Sequence, residues 1–379
     1  MPYLTGLDLP FSFYAVSAFV LGLIFGSFLN VVIYRVPRGE SIVFPGSRCG
    51  ACGAPIRAFD NIPLLSYAML GGRCRSCRAR ISFSYPAVEL CAGLVFVAIV
   101  LKTGPSWEAP LEFAFACVMI SLALIDARHR LLPNVIIYPA FLFALIGATA
   151  RAAPGEHSSP ALDVSILFPG SQSEFTSWRA AFFGGALFAI AAPGFWLLDK
   201  IDPILFGKYF HEHEEDAEHS VICSGETQGR PAIRAAMILG VIAAIAWAAM
   251  AFTLSPRYQP NFEDAYDGLL RASAGALISG GLLWLIRALY FFIRGFEGMG
   301  LGDIKMMSVV GAFLGFGGAL GVLLLGSIIG VITGLALIYY GGRKGRGGRG
   351  FKTPLPFGAC LGVASLIVMI LSPFNFAKP

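Results

Sequence analysis

Charge is what this chain has least of. Asp, Glu, Lys and Arg together make up 13% of its 379 residues, against 56% hydrophobic residues, and the mean hydropathy is +0.71. The length suits two soluble domains, but charge this sparse and uncharged stretches this long argue against them. Each stretch is long enough for the ~20 residues of helix that cross the roughly 30 Å hydrocarbon core of a bilayer. No small-residue cleavage site follows the first apolar run, so that run is expected to stay as an anchor rather than leave as a signal peptide. There is no short-period repeat and no Rossmann-type glycine fingerprint. The two halves also show no symmetry of the inverted-repeat kind common in transporters.

What is there is a series of ten apolar stretches, at about 11–34, 84–101, 110–126, 134–150, 179–197, 232–254, 271–293, 304–318, 320–340 and 355–373. The expected fold is an all-α polytopic membrane protein of about ten transmembrane helices, with a small zinc-braced cytoplasmic loop module. The eighth and ninth spans share one stretch, 303–342, and Gly315-Phe316-Gly317-Gly318 is the expected turn between them. Basic loops set the orientation, because Lys and Arg in excess mark the cytoplasmic side. Segment 35–80 carries Arg35, Arg38, Arg48, Arg57, Arg73, Arg75, Arg78 and Arg80 against Glu40 and Asp60. Segment 127–133 carries Arg128 and Arg130, and segment 341–354 carries five basic residues and no acid. Ten spans put all three on the cytoplasmic side. The loop 198–231, with His211-Glu212-His213-Glu214-Glu215-Asp216, then also falls inside. Its acids weigh little in the positive-inside rule. The glycine- and arginine-rich run 341–350 is confined between two spans, which suits a flexible loop that fixes topology better than nucleic-acid binding; no nucleic-acid partner is expected.

Four of the eight cysteines form two pairs, Cys49-Gly50-Ala51-Cys52 and, after 21 residues, Cys74-Arg75-Ser76-Cys77. Two such knuckles can offer four thiolates in a tetrahedron, a closed structural zinc site with no open position for catalysis. A short polar loop has little core of its own, and a metal can supply its folding energy. The neighbouring arginines either bind lipid phosphates or enforce orientation; the second is favoured. Cys91, Cys117 and Cys360 fall in spans as small hydrophobes. Cys223 has no evident partner. His211, His213 and His219 with their acidic neighbours make a weak metal pattern that is better explained as a solvated loop.

Two acids are placed where acids are costly. The third span ends Leu124-Ile125-Asp126-Ala127-Arg128, and the eighth begins Gly298-Met299-Gly300-Leu301-Gly302-Asp303-Ile304-Lys305. The topology puts both aspartates at the cytoplasmic face, 177 residues apart in sequence. Ionisable residues at membrane depth mark function by default. Two carboxylates that share a proton suit aspartyl proteolysis, one as base and one as acid. Glycines around Asp303 would let an extended substrate backbone approach. The plainer alternatives are that Asp303 caps its helix or pairs with Lys305 or Arg294, and that Asp126 pairs with Arg128 or Arg130.

These motifs, with Gly26-Ser27-Phe28-Leu29-Asn30 through Arg35-Val36-Pro37, Asn61-Ile62-Pro63-Leu64-Leu65-Ser66-Tyr67, Ile81 to Leu90 and Pro356-Phe357-Gly358, resemble the bacterial prepilin leader peptidase and N-methyltransferase family, intramembrane aspartyl proteases of the GxGD class. The resemblance implies that Asp126 and Asp303 are the protease dyad. It implies prepilin or pseudopilin precursors as partners in the inner membrane lipid, cut after a glycine that ends a short basic leader at the cytoplasmic face. The new N-terminal residue would then be methylated from S-adenosylmethionine. Asn30, Arg35 and Glu89, where the first two spans meet the cysteine module, become candidates for holding that methyl donor. Glu89 pairing with Arg35 or Arg80 is the structural alternative. The family usually has eight spans, and a hairpin at about 179–254 looks inserted here. The expected layout is a first span 1–34, a cytoplasmic zinc module 35–83 associated with methyl transfer, a protease core 84–373 that contains the insertion, and a tail 374–379. A transporter, or a zinc-bearing scaffold of a pilus or secretion machine, is the rival from another class. Neither explains two acids at one membrane face.

Overall fold

A computed structural model describes residues 10–106, 108–151, 262–295, 299–343 and 355–371. The hairpin at 179–254, the acidic loop with its histidines, and Cys223 lie outside the described residues. Those described are helical or irregular, with two isolated β-bridges. The helices are α1 Phe11–Arg35, α2 Leu65–Met69, α3 Ser84–Thr103, α4 Ala109–His129, α5 Asn134–Arg151, α6 Phe262–Arg294, α7 Leu301–Arg343 and α8 Phe357–Leu371. Five helical segments are long and apolar enough to cross a membrane: Phe11–Arg38, Ser84–Thr103, Ala109–His129, Gly268–Arg294 and Leu301–Tyr339. The protein is therefore an all-α, multi-pass membrane protein.

The last of these is too long for one crossing. A straight helix of its 39 residues would span ~58 Å at 1.5 Å per residue, about twice the hydrocarbon core. It is broken at Gly315, whose φ of 74° and ψ of 175° are not helical. The break is at the first glycine of the cluster expected to turn there. Glycine takes that positive φ without the Cβ penalty other residues meet.

The chain divides into two compact units, residues 1–133 with 321–379, and residues 134–320. In the first, α1 lies along α3 with almost no space between backbones. A Cβ added at Gly22 would sit 2.6 Å from the Ala92 carbonyl oxygen, and one at Gly26 the same distance from the Glu89 Cα. Small residues four apart are the usual device for such close contact in lipid, where packing replaces the hydrophobic effect. Behind this seam Phe96 is fully buried and stacks on Phe113, with ring centroids 4.1 Å apart. On α8, Gly362 meets Ala123 and the Met119 carbonyl of α4 in the same way. One end of this bundle is pinned by charge. Lys102 of α3 bonds the buried carboxylate of Glu112 of α4 at 3.2 Å and the Met369 carbonyl of α8 at 2.6 Å.

In the second unit α5 and α6 pack together with the first part of α7. Gly275 of α6 meets Gly311 of α7 backbone to backbone, and Ser279 donates to the Met307 carbonyl at 3.1 Å. Buried Lys305 of α7 donates to Asn134 Oδ1, on the first residue of α5, at 2.9 Å, and its ammonium lies 5.6 Å from the centre of the Tyr138 ring.

Candidate functional site

The cysteine module is built from two copies of one turn. In the first, Cys49 N–H donates to the Ala54 carbonyl and Gly53 N–H returns to the Cys49 carbonyl, both at 2.9 Å. In the second, Cys74 N–H donates to the Ala79 carbonyl and Arg78 N–H to the Cys74 carbonyl. The residue after each second cysteine has positive φ, 70° at Gly53 and 59° at Arg78. Glycine takes that conformation freely, whereas arginine pays for it, so the second knuckle needs an external constraint to hold it.

The four sulfur atoms of Cys49, Cys52, Cys74 and Cys77 lie within 4.8 Å of one another, and those of Cys49 and Cys77 are 3.8 Å apart. A tetrahedron of thiolates at the usual Zn–S length of ~2.3 Å has edges of about 3.8 Å. The donor set and its spacing therefore fit a metal ion. The thiols differ in acidity. The Cys52 and Ala51 backbone amides, with the Cys74 thiol, draw the Cys49 pKa down to about 6. The Ala79 amide draws Cys77 down as well, but hydrogen bonds from the other three cysteines together with burial outweigh it and push Cys77 up to about 11. Thiolates are the ligand form, so the lowered pKa of Cys49 favours its receiving a cation.

Arg75, inside the second knuckle, clamps the Asp60 carboxylate with bonds of 2.6 and 2.9 Å. The guanidinium holds the Asp60 carboxyl below the usual carboxylate range. This ties the loop before α2 to the metal knuckle, although an exposed pair contributes little to stability.

Between the module and the adjoining ends of α1 and α3, the C-terminal end of the first and the N-terminal end of the second, is a cavity of about 780 Å³. Asn30, Arg35 and Glu89 all line it, with Tyr34, Tyr85 and Arg80. Asn30 donates to the Tyr85 carbonyl at 3.0 Å, and Arg35 to the carbonyls of Ser41 and Gly46 at 2.9 and 3.3 Å. Glu89 accepts the Leu64 N–H at 2.9 Å, with the Ser27 hydroxyl also bonded to it. Its partners are thus an amide and a hydroxyl, where pairing with Arg35 or Arg80 was the alternative expectation. Leu64 has φ 59° and ψ −47°, and Leu65 N–H reaches back to the Pro63 carbonyl at 2.6 Å. This is a γ-turn of the rare, strained kind, and the Glu89 carboxylate latches it. No sequence pattern marks such a latch, because only the fold brings residues 64 and 89 together.

The two aspartates sit in different units. Asp126 is buried in the last turn of α4, and its Oδ2 accepts the Ala359 N–H at 2.8 Å. Ala359 is the third residue of α8, so the carboxylate satisfies one of the amides that a helix N-terminus leaves without an internal partner. Pro356-Phe357-Gly358 is the segment that starts this helix, which gives that signature a physical task. Asp303 is buried in the first turn of α7. It is the third helical residue, and Gly300 occupies the cap position in its place. Gly300 has no positive φ, and a Cβ there would meet nothing nearer than 3.9 Å, with the Asp303 carboxylate at 4.0 Å. Neither backbone conformation nor internal packing requires a glycine at 300. Lys305 was named as an alternative partner for Asp303, and its contact with Asn134 has no signal in the sequence beyond a lysine in an apolar helix.

Family models match two stretches of the chain. Residues 20–103 match the bacterial peptidase A24 N-terminal domain, and residues 233–335 match the type IV leader peptidase family. Over these two stretches the chain is similar to the type IV leader peptidase family and to the N-terminal domain of the bacterial A24 peptidases. Asp303 falls in the second stretch, the cysteines and the cavity in the first, and Asp126 between them. A prepilin leader peptidase/N-methyltransferase of Myxococcus xanthus is 46% identical over 129 residues, 34% of this chain and 38% of that protein. One from Neisseria gonorrhoeae is 40% identical over 153 residues, 34% of this chain and 54% of the relative. The relative of the same description from Pseudomonas aeruginosa is 25% identical over 380 residues, 94% of this chain and 90% of that protein. The stronger likenesses thus span only about a third to a half of each protein, and the weaker one nearly all of both. No solved structure matches the chain.

Proposed function

We propose that this protein is an intramembrane aspartyl endopeptidase that removes the short basic leader of prepilin-like precursors at the cytoplasmic membrane face, and then methylates the new N-terminal residue. Ten spans, with the basic loops inside, are part of this proposal, as are a zinc module over 35–83, a protease core over 84–373 and the insertion at 179–254. Asp126 and Asp303 are its two cleavage carboxylates. The observation that supports it best is the Asp126 carboxylate buried on the Ala359 amide: an acid at membrane depth held in one orientation by a helix N-terminus contributed by a distant segment. In the reaction, one carboxylate takes a proton from water as the oxygen adds to the carbonyl carbon of the leader's last glycine. The other gives its proton to the leaving nitrogen. Gly300 supplies room for the extended substrate backbone beside Asp303.

The cysteine site is proposed to hold one structural zinc, which would brace the wall of the 780 Å³ cavity. That volume suits a ligand of the size of S-adenosylmethionine, with Asn30, Arg35 and Glu89 in its walls. When bound, the sulfonium would supply the methyl group: the acceptor amine loses a proton, its lone pair forms the new N–C bond, and the sulfur leaves as a neutral thioether. The protein's part is to hold the walls, exclude water and align the amine.

The test is mass spectrometry of a prepilin-type precursor incubated with the purified protein and S-adenosylmethionine. The expected product is the mature chain carrying one added methyl group. An intact precursor, with the protein shown to be folded, would contradict the proposal.

A further inference from the structure

A second cavity, of about 540 Å³, lies on the other side of part of the first one's wall. Seven residues line both, Ser27, Val31, Arg35 and Asn61 among them. The two differ in chemistry. The first is lined by arginines, tyrosines and acids, whereas the second is lined by Ile24, Phe28, Ile42, Val43, Ile62 and Pro63. Ile24 and Phe28 lie on α1, and they are 54% and 47% exposed, on a face that no other described helix covers. The cavity is therefore continuous with the lipid-facing side of a membrane span. Its other wall is the loop that Arg35 fixes through the Ser41 and Gly46 carbonyls. Val43 on that loop is 64% exposed between Ile42 and Phe44, which are 40% and 77% exposed, and a contiguous apolar patch of this kind marks an interaction site.

We propose that this second cavity receives the apolar N-terminal end of the methyl acceptor, while the first takes the methyl donor. The proposal rests on the methyl-transfer reading above and adds where the acceptor binds and what chemistry selects it. A chain whose own apolar helix lies in the bilayer can slide its first residues along α1 past Ile24 and Phe28. Its terminal amine then arrives at the polar shared wall near Ser27, Arg35 and Asn61, while its first side chain is buried among Phe28, Val43 and Ile62. Specificity for an apolar first residue follows from burial, because a polar one would lose its water against Phe28, Val43 and Ile62 without a partner there.

The experiment uses the full chain in nanodiscs and two synthetic peptides identical except for the first residue, Phe in one and Asn in the other. Binding is measured by fluorescence anisotropy without the donor, and methyl transfer with S-adenosylmethionine present. The Phe peptide should bind roughly tenfold to a hundredfold tighter, as burial of one large apolar side chain implies. Val43→Trp and Ile62→Trp, which fill the cavity from its exposed loop side, should raise the Kd and KM of the Phe peptide by a similar factor. The KM for S-adenosylmethionine should stay within about twofold. Phe28→Asn should act in the same direction from the α1 side. Equal binding of the two peptides would overturn the proposal. So would variants that leave the acceptor constants unmoved or raise the donor KM in step, or a phospholipid that native mass spectrometry finds in the cavity at saturating acceptor. A wild-type protein that methylates neither peptide would instead defeat the methyl-transfer reading itself.

Discussion

The cysteine module and the surroundings of Asp126 are built by opposite means. The module is assembled within one stretch of the chain: two short turns, an ion pair between residues 60 and 75, and a latch between residues 64 and 89. It is largely exposed, has little apolar core, and sets a cysteine cluster able to hold a metal and one carboxylate beside its strained turns. Asp126 instead takes its partner from a residue 233 positions away, inside helices packed through Gly362 and pinned at the far end by Lys102 and Glu112. The difference teaches where each part is vulnerable. The first fails when a ligand or a latch is lost, the second when helices move.

The largest effect expected on the module side is the loss of its metal. Cys74→Ser should remove essentially all of about one zinc per chain and expose residues 47–81 to hydrogen exchange, because the metal supplies the folding energy of so small a unit. Methyl transfer should fall further than leader cleavage. Elemental analysis that finds a full equivalent of zinc in the variant would break the comparison.

On the membrane side, Lys102→Met and Glu112→Gln should each cost about 3–5 kcal/mol, the usual result of leaving one buried charge or its partner unpaired. The double change Lys102→Met with Glu112→Leu should recover most of that loss, because two apolar groups need no pairing. Unfolding in detergent measures all three. A double variant no better than the singles would show that the pair does more than satisfy charge.

Legibility in the sequence divides along the same line. The paired CxxC spacing announces the four ligands before any fold is known, and apolar runs place the ends of α1, α3, α4 and α8 within a few residues. The two members of a knuckle are close in the chain, so a local pattern contains the contact. The Ala359 amide on Asp126, the Lys102–Glu112 pair and the Lys305–Asn134 bond join helices far apart in sequence. Nothing near either partner encodes the other. A helix-cap role for Asp303 followed from its place near a helix start, but helix position decides it: the chain is already helical at Leu301, which leaves Gly300 as the cap. Pro356-Phe357-Gly358 was visible only as a signature until α8 showed what it starts.

A smaller effect separates charge from geometry at Glu89. Glu89→Ala leaves the Leu64 amide without its acceptor and frees a strained turn, at a cost of about 2 kcal/mol. Glu89→Gln keeps an acceptor oxygen and should cost less than half of that. Leu64→Gly should partly rescue the alanine variant, since glycine adopts positive φ without strain. Hydrogen exchange across residues 61–69 reads the latch directly. Equal exchange in the Ala and Gln variants would assign Glu89 an electrostatic role instead.

The smallest structural effect is expected at Gly300. Gly300→Ala should cost only about 0.5–1 kcal/mol, because a Cβ there meets nothing nearer than 3.9 Å and alanine merely caps a helix less well than glycine. If the glycine serves substrate approach, leader cleavage should nonetheless drop. Unchanged cleavage would make that residue incidental.

The most direct test of two separable regions is to remove each carboxylate's chemistry while keeping its shape. Asp126→Asn and Asp303→Asn keep the side chain's size and an oxygen that can accept an N–H. Neither can act as the base or the acid. Each variant is given an uncut precursor and, separately, a pre-cleaved peptide with a free apolar N-terminus, both with S-adenosylmethionine, and the products are weighed by mass spectrometry. The account predicts no leader cleavage by either variant and continued methylation of the pre-cleaved peptide. Cleavage near the wild-type level by either one would contradict it.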